Sequence, residues 1–234
     1  MDLVSLLRTH IGQPLTPDLA ADICQIASQI PTLIPFGAIE RIKPAEYREF
    51  AFAVERIKDI ADEIKPLHLA HWNETESHRH DLPFNPDYGT FFRYEHAGRY
   101  ILFTLRKDGV LLGNCAMYLD RSAHTQTLIA TEDTLYLLPE ARRGRAAIKF
   151  IAYVESALKQ LGAREICITV KTVNAAGRFF RALGYEHVED GLVKILVPEV
   201  GTMSADQSNA IGQYQGEMDS WRQNKRNDSN FNES

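Results

Sequence analysis

Between an apolar run and a helical pattern, the chain places Pro139-Glu140-Ala141-Arg142-Arg143-Gly144-Arg145-Ala146-Ala147, a tight cationic loop. Backbone N–H groups of such a loop, together with the unsatisfied donors of the first helical turn, suit a pyrophosphate. The arginines add charge-assisted hydrogen bonds, and the small Ala146 and Ala147 let a ligand approach the helix closely. The same residues also fit a solvated basic turn that binds nothing.

Other reactive side chains point less clearly to a site. His68, His71, His78 and His80 cluster with Glu74 and Glu76. The segment reads as a polar loop without ligands at fixed spacing, so no metal is expected. Cys24, Cys115 and Cys167 are an odd, scattered set, which argues against a disulfide framework and a thiolate zinc site. Cys115 and Cys167 lie in apolar strands and read as core residues.

The elements that must position the basic loop can be read in outline. Residues 2–30 suggest two short helices, and Ile39–Ile42 a short strand. A helical pattern from Pro44 onward carries Phe50, Val54, Ile57, Ile60, Ile64 and Leu67, with Pro66 as its interruption. His68–Arg79 reads as loop, and Asp87 opens a second helix through Tyr88, Phe91, Phe92 and Glu95. Tyr100–Leu105 and Val110–Leu119 flank Asp108-Gly109, a hairpin signal. Strand 127–138, helix 146–161 closed by Gly162, strand 165–171, helix 174–183 and a final strand 191–198 complete an α/β pattern.

The 234 residues are 44% hydrophobic and 24% charged, an ordinary globular composition. No apolar run approaches the ~20 residues of a membrane helix, and Met1-Asp2-Leu3-Val4 lacks a basic signal flank, so a cytoplasmic protein is expected. A net charge of -5 and a pI near 5.9 disfavour a nucleic-acid partner.

The strand, Pro-Glu, Arg142, Gly144 and Ala147 order resembles the GNAT superfamily of N-acetyltransferases, whose loop reads Arg/Gln-x-x-Gly-x-Gly/Ala. Arg145 stands where that pattern has its first glycine, with Gly144 beside it as the flexible residue. Asn174-Ala175-Ala176-Gly177-Arg178-Phe179-Phe180, continuing to Gly184-Tyr185, resembles the family's Asn-x-x-Ala-x-x-Phe-Tyr-x-x-x-Gly-Phe region. Together the motifs cover about 40–198, and the loop wording is also similar to bacteriophage-encoded acetyltransferases.

The resemblance implies a GNAT fold: an α/β domain over 39–198 with a mixed, mostly antiparallel sheet flanked by helices. An N-terminal helical extension, 1–38, precedes it, and a polar, disordered tail, 199–234, follows. It implies acetyl-CoA as donor, with Leu137, Leu138, Arg142, Arg143, Gly144, Arg145, Ala146, Ala147, Asn174 and Phe180 as its contacts. A backbone N–H near Leu137, where the fourth and fifth strands splay, would polarise the thioester carbonyl.

Deprotonating an amine of pKa about 10.4 at neutral pH calls for a base, and Glu132, the favoured one, and Asp133 are the candidates. On a strand they face opposite sides, so only one reaches the cleft. The family's acid is a tyrosine where this chain has Phe180, which removes that acid; Tyr185 and Tyr153 read better as packed aromatics. His71, Trp72 and Glu74 are candidates for the acceptor side. The acceptor is an amine on a small molecule or a protein, and a homodimer fits the family. Ile211, Tyr214, Met218 and Trp221 would share one face of an induced helix and could dock a partner. The rival reading is a catalytically silent module that binds acyl-CoA or another protein.

Overall fold

Asp108 and Gly109 both take positive φ, 49° and 80°, the combination a two-residue hairpin turn requires. They join β3 (Tyr100–Lys107) to β4 (Val110–Arg121), the two middle strands of a six-stranded sheet. In this computed structural model the described residues are 3–28, 32–79 and 82–194. The remaining strands are β1 (Ala45–Tyr47), β2 (Phe50–Glu55), β5 (Leu128–Leu137) and β6 (Ala163–Cys167). They lie in chain order, every neighbour antiparallel except β5 and β6, which run parallel.

A parallel pair needs a crossover. It is supplied by a 3-10 turn, Pro139–Arg142, and the helix α6 (Ala146–Gln160). The other helices are α1 (Leu3–Thr9), α2 (Pro17–Ser28), α3 (Phe36–Ile39), α4 (Ala61–Thr75), α5 (Tyr88–His96) and α7 (Ala176–Ala182). The chain divides into two compact units, residues 1–64 with 87–168, and residues 65–86 with 169–234.

The sheet of the first unit has two unlike faces. On one, Phe103, Leu105, Cys115, Met117 and Leu119 form a single apolar cluster with Phe150, Val154, Ala157 and Leu158 of α6. Those α6 positions follow helical spacing, so one stripe of the helix is removed from water while the opposite stripe stays exposed. Each such large side chain contributes about 1.5–3 kcal/mol on burial. The other face carries Tyr100, Thr104, Asn114 and Tyr118, the alternate residues of the same strands. There α5 packs through Phe91, stacked 5.4 Å from Tyr100, and Tyr94, edge-on 5.6 Å from Tyr118.

A buried carboxylate fixes the seat of α5. Glu95, 5% exposed, accepts a hydrogen bond of 2.8 Å from the Ile57 N–H and faces the Arg56 guanidinium at 3.6 Å. At the helix start, Asp87 Oδ1 accepts from the Thr90 N–H at 3.0 Å, an N-terminal cap.

β5 departs from regularity in two ways. Opposite β4, Ala116 pairs with Thr134 but Met117 pairs with Glu132, leaving Asp133 as an extra residue, a β-bulge. Opposite β6, pairing ends at Thr131 and Cys167, so Glu132–Leu137 continue without that neighbour.

Several expectations are corrected. Residues 45–55 form strands instead of a helix, because Phe50 and Phe52 are buried on one side and Ala51 is exposed, a period of two. Ile39–Ile42 is no strand; helix α3 ends at Ile39. Helix α4 runs through Pro66 and takes in His68–Thr75, expected as loop. Proline removes one backbone bond there, while burial of Ile64 and Leu67 on either side holds the helix. The strand expected over 165–171 stops at Cys167. Gly191–Lys194 are not in a strand, and the rest of that expected strand and the tail with Ile211, Tyr214, Met218 and Trp221 lie outside the described residues.

Gly113 lies opposite Leu137, and a Cβ there would sit 2.2 Å from Leu137 Cδ2 and 3.0 Å from the Tyr136 carbonyl. Gly113→Ala should therefore cost about 2 kcal/mol, an overpacking penalty. Urea unfolding should show a lower midpoint at unchanged slope.

Candidate functional site

The basic loop is anchored to the end of β5 from behind. Arg142 Nε donates to the Leu137 carbonyl at 2.6 Å, and its guanidinium lies over the Tyr136 ring at 5.0 Å. The Leu138 N–H donates back to the Leu112 carbonyl at 2.8 Å. All three of the loop's arginines are exposed, and of them Arg142 helps to build the turn.

Gly144 makes the turn into α6 at φ +69°, a left-handed conformation that costs a residue with a Cβ about 1–2 kcal/mol. Arg145 is the N-cap of α6, yet its side chain makes no capping hydrogen bond. The first bond of the helix runs from the Lys149 N–H to the Arg145 carbonyl at 3.0 Å. The N–H groups of Ala146, Ala147 and Ile148 therefore precede the helix's own ladder. With the helix dipole behind them, they form an anion-attracting end flanked by two exposed guanidinium groups. Leu137, Leu138 and Arg142 to Ala147 are brought together here in one continuous turn.

The two carboxylates of β5 separate by face. Glu132 is opposite Met117, on the side of the apolar cluster, and its charge adds to the burial that raises the Cys115 thiol pKa. Asp133, the bulge residue, turns to the other face. Its Oδ2 accepts a hydrogen bond of 2.8 Å from the Tyr100 hydroxyl, and the Tyr118 hydroxyl stands near it on the same face. Burial raises the Asp133 pKa above the ordinary aspartate value, against the lowering by both hydroxyls. Burial and the nearby carboxylate push Tyr118 up to about 12 and Tyr100 well above its usual value, so both hydroxyls keep their protons.

Tyr118 also lines an open cleft of about 310 Å³ with Tyr94, Arg99, Leu119 and Asp120, where Arg99 and Asp120 pair at 2.9 Å. Sequence reasoning did not single out Tyr94, Tyr100 or Tyr118. The available signal was register: counted back from the Asp-Gly turn, Tyr100 and Tyr118 fall within one residue of being opposite.

The remaining candidates lie in the second unit. His71, Trp72 and Glu74 occupy the last turns of α4, with Trp72 against Phe84 at 5.8 Å. His68, one turn earlier, is 5% exposed, and burial together with the His71 charge lowers its pKa to about 4. Burial opposes ionisation of Glu76, but bonds from Lys171 and Arg79 hold it at about 2. Asn174 Oδ1 accepts from the Ala176 N–H at 2.9 Å and so shapes the entry to α7. Phe180 is 4% exposed, with its ring 5.0 Å from that of Tyr185. In the first unit, Tyr153 packs against Phe52 and Phe103 at 6.0 and 6.1 Å. Among the described residues no group of three or more His, Cys, Asp or Glu could hold a metal ion, and no helix is long and apolar enough to cross a membrane.

The model of the acetyltransferase (GNAT) family matches residues 57–185, more than half of the chain. The chain belongs to the GNAT acetyltransferase family. This GNAT domain is similar in fold to a ribosomal-protein-alanine N-acetyltransferase from Brucella melitensis biovar Abortus 2308, at 16% identity and TM-score 0.50, over 64% of this chain and 99% of that one. It is also similar to an aminoglycoside acetyltransferase from an uncultured soil metagenomic sample, in complex with sisomicin, at 12% identity and TM-score 0.51, over 64% and 97%. A transcriptional regulator from Bacillus halodurans C-125 aligns at 14% identity and TM-score 0.51, over 63% and 99%. At such identities the likeness shows the fold. No curated protein matches the GNAT chain in sequence.

A titration follows from His68. Its folded pKa, about 4, lies below the ordinary 6.5. Its neutral form therefore supports a stability that is complete above pH 6.5 and lost as pH falls toward 4, up to about 3 kcal/mol. Denaturant midpoints measured across that window should fall, and His68→Leu should flatten the dependence.

Proposed function

We propose that this GNAT domain transfers an acetyl group from acetyl-CoA to a primary amine. The observation that carries the reading is the turn at Gly144, which presents the uncapped start of α6 and two exposed arginines at the end of β5. A pyrophosphate would accept the N–H groups of Ala146 and Ala147, with Arg143 and Arg145 neutralising its charge. The acyl-bearing arm would extend along Glu132–Leu137, the stretch of β5 that β6 leaves without a neighbour. Its amides would meet backbone groups there as an added strand does. The family resemblance, rather than the loop geometry, brings in Asn174 and Phe180 for the thiol end, and His71, Trp72 and Glu74 for the acceptor side.

The amine must lose a proton before it can attack the thioester carbonyl. Asp133 is the proton acceptor in this reading, because it stands on the polar face of the sheet with two hydroxyl groups around it. Glu132, on the apolar side, is the second candidate. Holding amine and thioester together supplies much of the rate, and a thiol of pKa about 8.5 leaves without the acid that Phe180 lacks. The acceptor is an amine carried by a small molecule or a protein.

Calorimetric titration with acetyl-CoA tests the donor site, with micromolar binding expected. Arg143→Ala and Arg145→Ala should each weaken it about 3- to 10-fold, at about 1 kcal/mol per charged hydrogen bond, and Gly144→Ala by a similar factor through its φ. Asp133→Asn should slow release of free thiol by about 100-fold or more while acetyl-CoA still binds, and Glu132→Gln should not. Binding without turnover in the unaltered protein would favour the silent module. Equal rates in both carboxylate variants would remove Asp133 from its role.

A further inference from the structure

We propose that Tyr118 is a catalytic proton relay: its hydroxyl meets the acceptor amine in the cleft lined by Tyr94, Arg99, Leu119 and Asp120, and passes the proton to Asp133. The proposal rests on the acetyl-transfer reading and adds to it the entrance of the acceptor and the path of its proton. Its basis is position. Tyr118 lines the open cleft, pairs with Thr131 two residues before Asp133 on the same face of the sheet, and packs edge-on 5.2 Å from Tyr100, the hydroxyl partner of Asp133. Asp133 itself does not line the cleft; Tyr100 is fully buried and cannot meet an incoming molecule.

The strand register puts Tyr118 where the chemistry requires it. It pairs with Thr131, the last residue of β5 that still pairs with β6. The cleft side of Tyr118 and the opening between the two strands therefore meet at one level of the sheet. At about 310 Å³ the cleft is at the small end of ligand pockets, a size for an alkyl amine or a single side chain. Tyr94 and Tyr118, packed edge to face with centroids 5.6 Å apart, give the cleft an aromatic wall, and the carboxylate of Asp120 gives it a negative group. Arg99 holds that carboxylate in place at 2.9 Å.

The proton step balances as follows. An ammonium in the cleft gives a proton to Tyr118 Oη as the hydroxyl of Tyr118 gives its own to the ionised Asp133. The neutral amine attacks the thioester carbonyl carbon; the C–N bond forms, the C–S bond breaks, and the thiolate takes the second nitrogen proton. The products are the amide, the free thiol and protonated Asp133, which returns its proton to solvent. Tyr118 begins and ends as a phenol, in keeping with its high affinity for its proton. The groups that set the Asp133 charge are Tyr100 from β3 and Tyr118 from β4. Around Tyr118 are Asp133 and, from α5, Tyr94, with Arg99 and Asp120 at the cleft.

Tyr100 acts through Asp133 and is a positioning residue. Its hydroxyl favours the ionised carboxylate, so its loss should raise the pH at which Asp133 becomes competent.

The test uses the full chain, acetyl-CoA and 1,6-diaminohexane as the probe, with thiol release followed from pH 5.5 to 10. In the unaltered protein kcat/KM should level off well below the pKa of the amine, because bound ammonium is deprotonated on the enzyme. Tyr118→Phe should bind acetyl-CoA with unchanged affinity, lose about 100-fold or more in kcat near neutral pH, and show kcat/KM rising tenfold per pH unit toward 10. Tyr100→Phe should keep the plateau and move its acid limb to higher pH. A Tyr118→Phe protein with unaltered rate and pH profile would overturn the relay while leaving acetyl transfer in place. Binding of acetyl-CoA with no transfer to the diamine would overturn the cleft as the amine entrance, and failure to bind acetyl-CoA would overturn the donor reading itself.

Discussion

One extra residue in β5 sets the character of the whole sheet. Without the bulge at Asp133, strict alternation would place Glu132 and Thr134 on one face and Asp133 and Leu135 on the other. With it, Asp133 and Thr134 share a face: the first takes a hydroxyl from Tyr100, the second accepts a hydrogen bond from Asn114 Nδ2 at 2.8 Å. Leu135 and Leu137 are thereby returned to the side where α6 packs. The apolar core and the polar cluster both depend on this insertion, which also strengthens the local twist of the strand. Loss of β6 pairing begins at the residue beyond Thr131, immediately next to the bulge.

α6 joins the two roles of the domain. Its apolar stripe closes the core, and its position as the crossover between parallel strands fixes its first turn beside the end of β5. A helix of 15 residues held in this way directs its dipole at one place, and the turn at Gly144 leaves that place open. Arg142 shows how the loop is held: one arginine is committed to the Leu137 carbonyl so that the exposed Arg143 and Arg145 need not shape the backbone.

What could be read from the sequence follows from the range of the interactions involved. The hairpin at Asp108-Gly109, the helix ending at Gly162 and the basic turn are local devices written in a few adjacent residues, and the structure has each of them. Residues 45–55 are ambiguous in sequence because Phe50 and Val54 satisfy a helical period as well as Phe50 and Phe52 satisfy a strand; the partner that decides, β3, lies some fifty residues on. The extension of α4 through Pro66 depended on burial of Ile64 and Leu67, which no local pattern around the proline shows. The carboxylates were found by type and position. Their tyrosine partners were not, because Tyr100, Tyr118 and Asp133 meet only through a long-range register and a bulge that sequence alternation does not record.

The polar face of the sheet is a poor choice for stability alone. Thr104 and Asn114 are fully buried, Asn114 Oδ1 has no hydrogen-bond partner among the described residues, and Asp133 retains a carboxylate where burial disfavours its charge. Replacing such groups with apolar residues of similar size is commonly neutral or stabilising, whereas leaving one member unpaired costs about 1–3 kcal/mol. A sheet built only to pack α5 would have continued the apolar pattern of its opposite face. Instead, destabilising groups are concentrated beside the bulge and beside the place where two strands part, each held by a neighbour on another strand. Buried polarity gathered in one place, on an otherwise regular scaffold, is the physical signature of a surface shaped for chemistry rather than for packing.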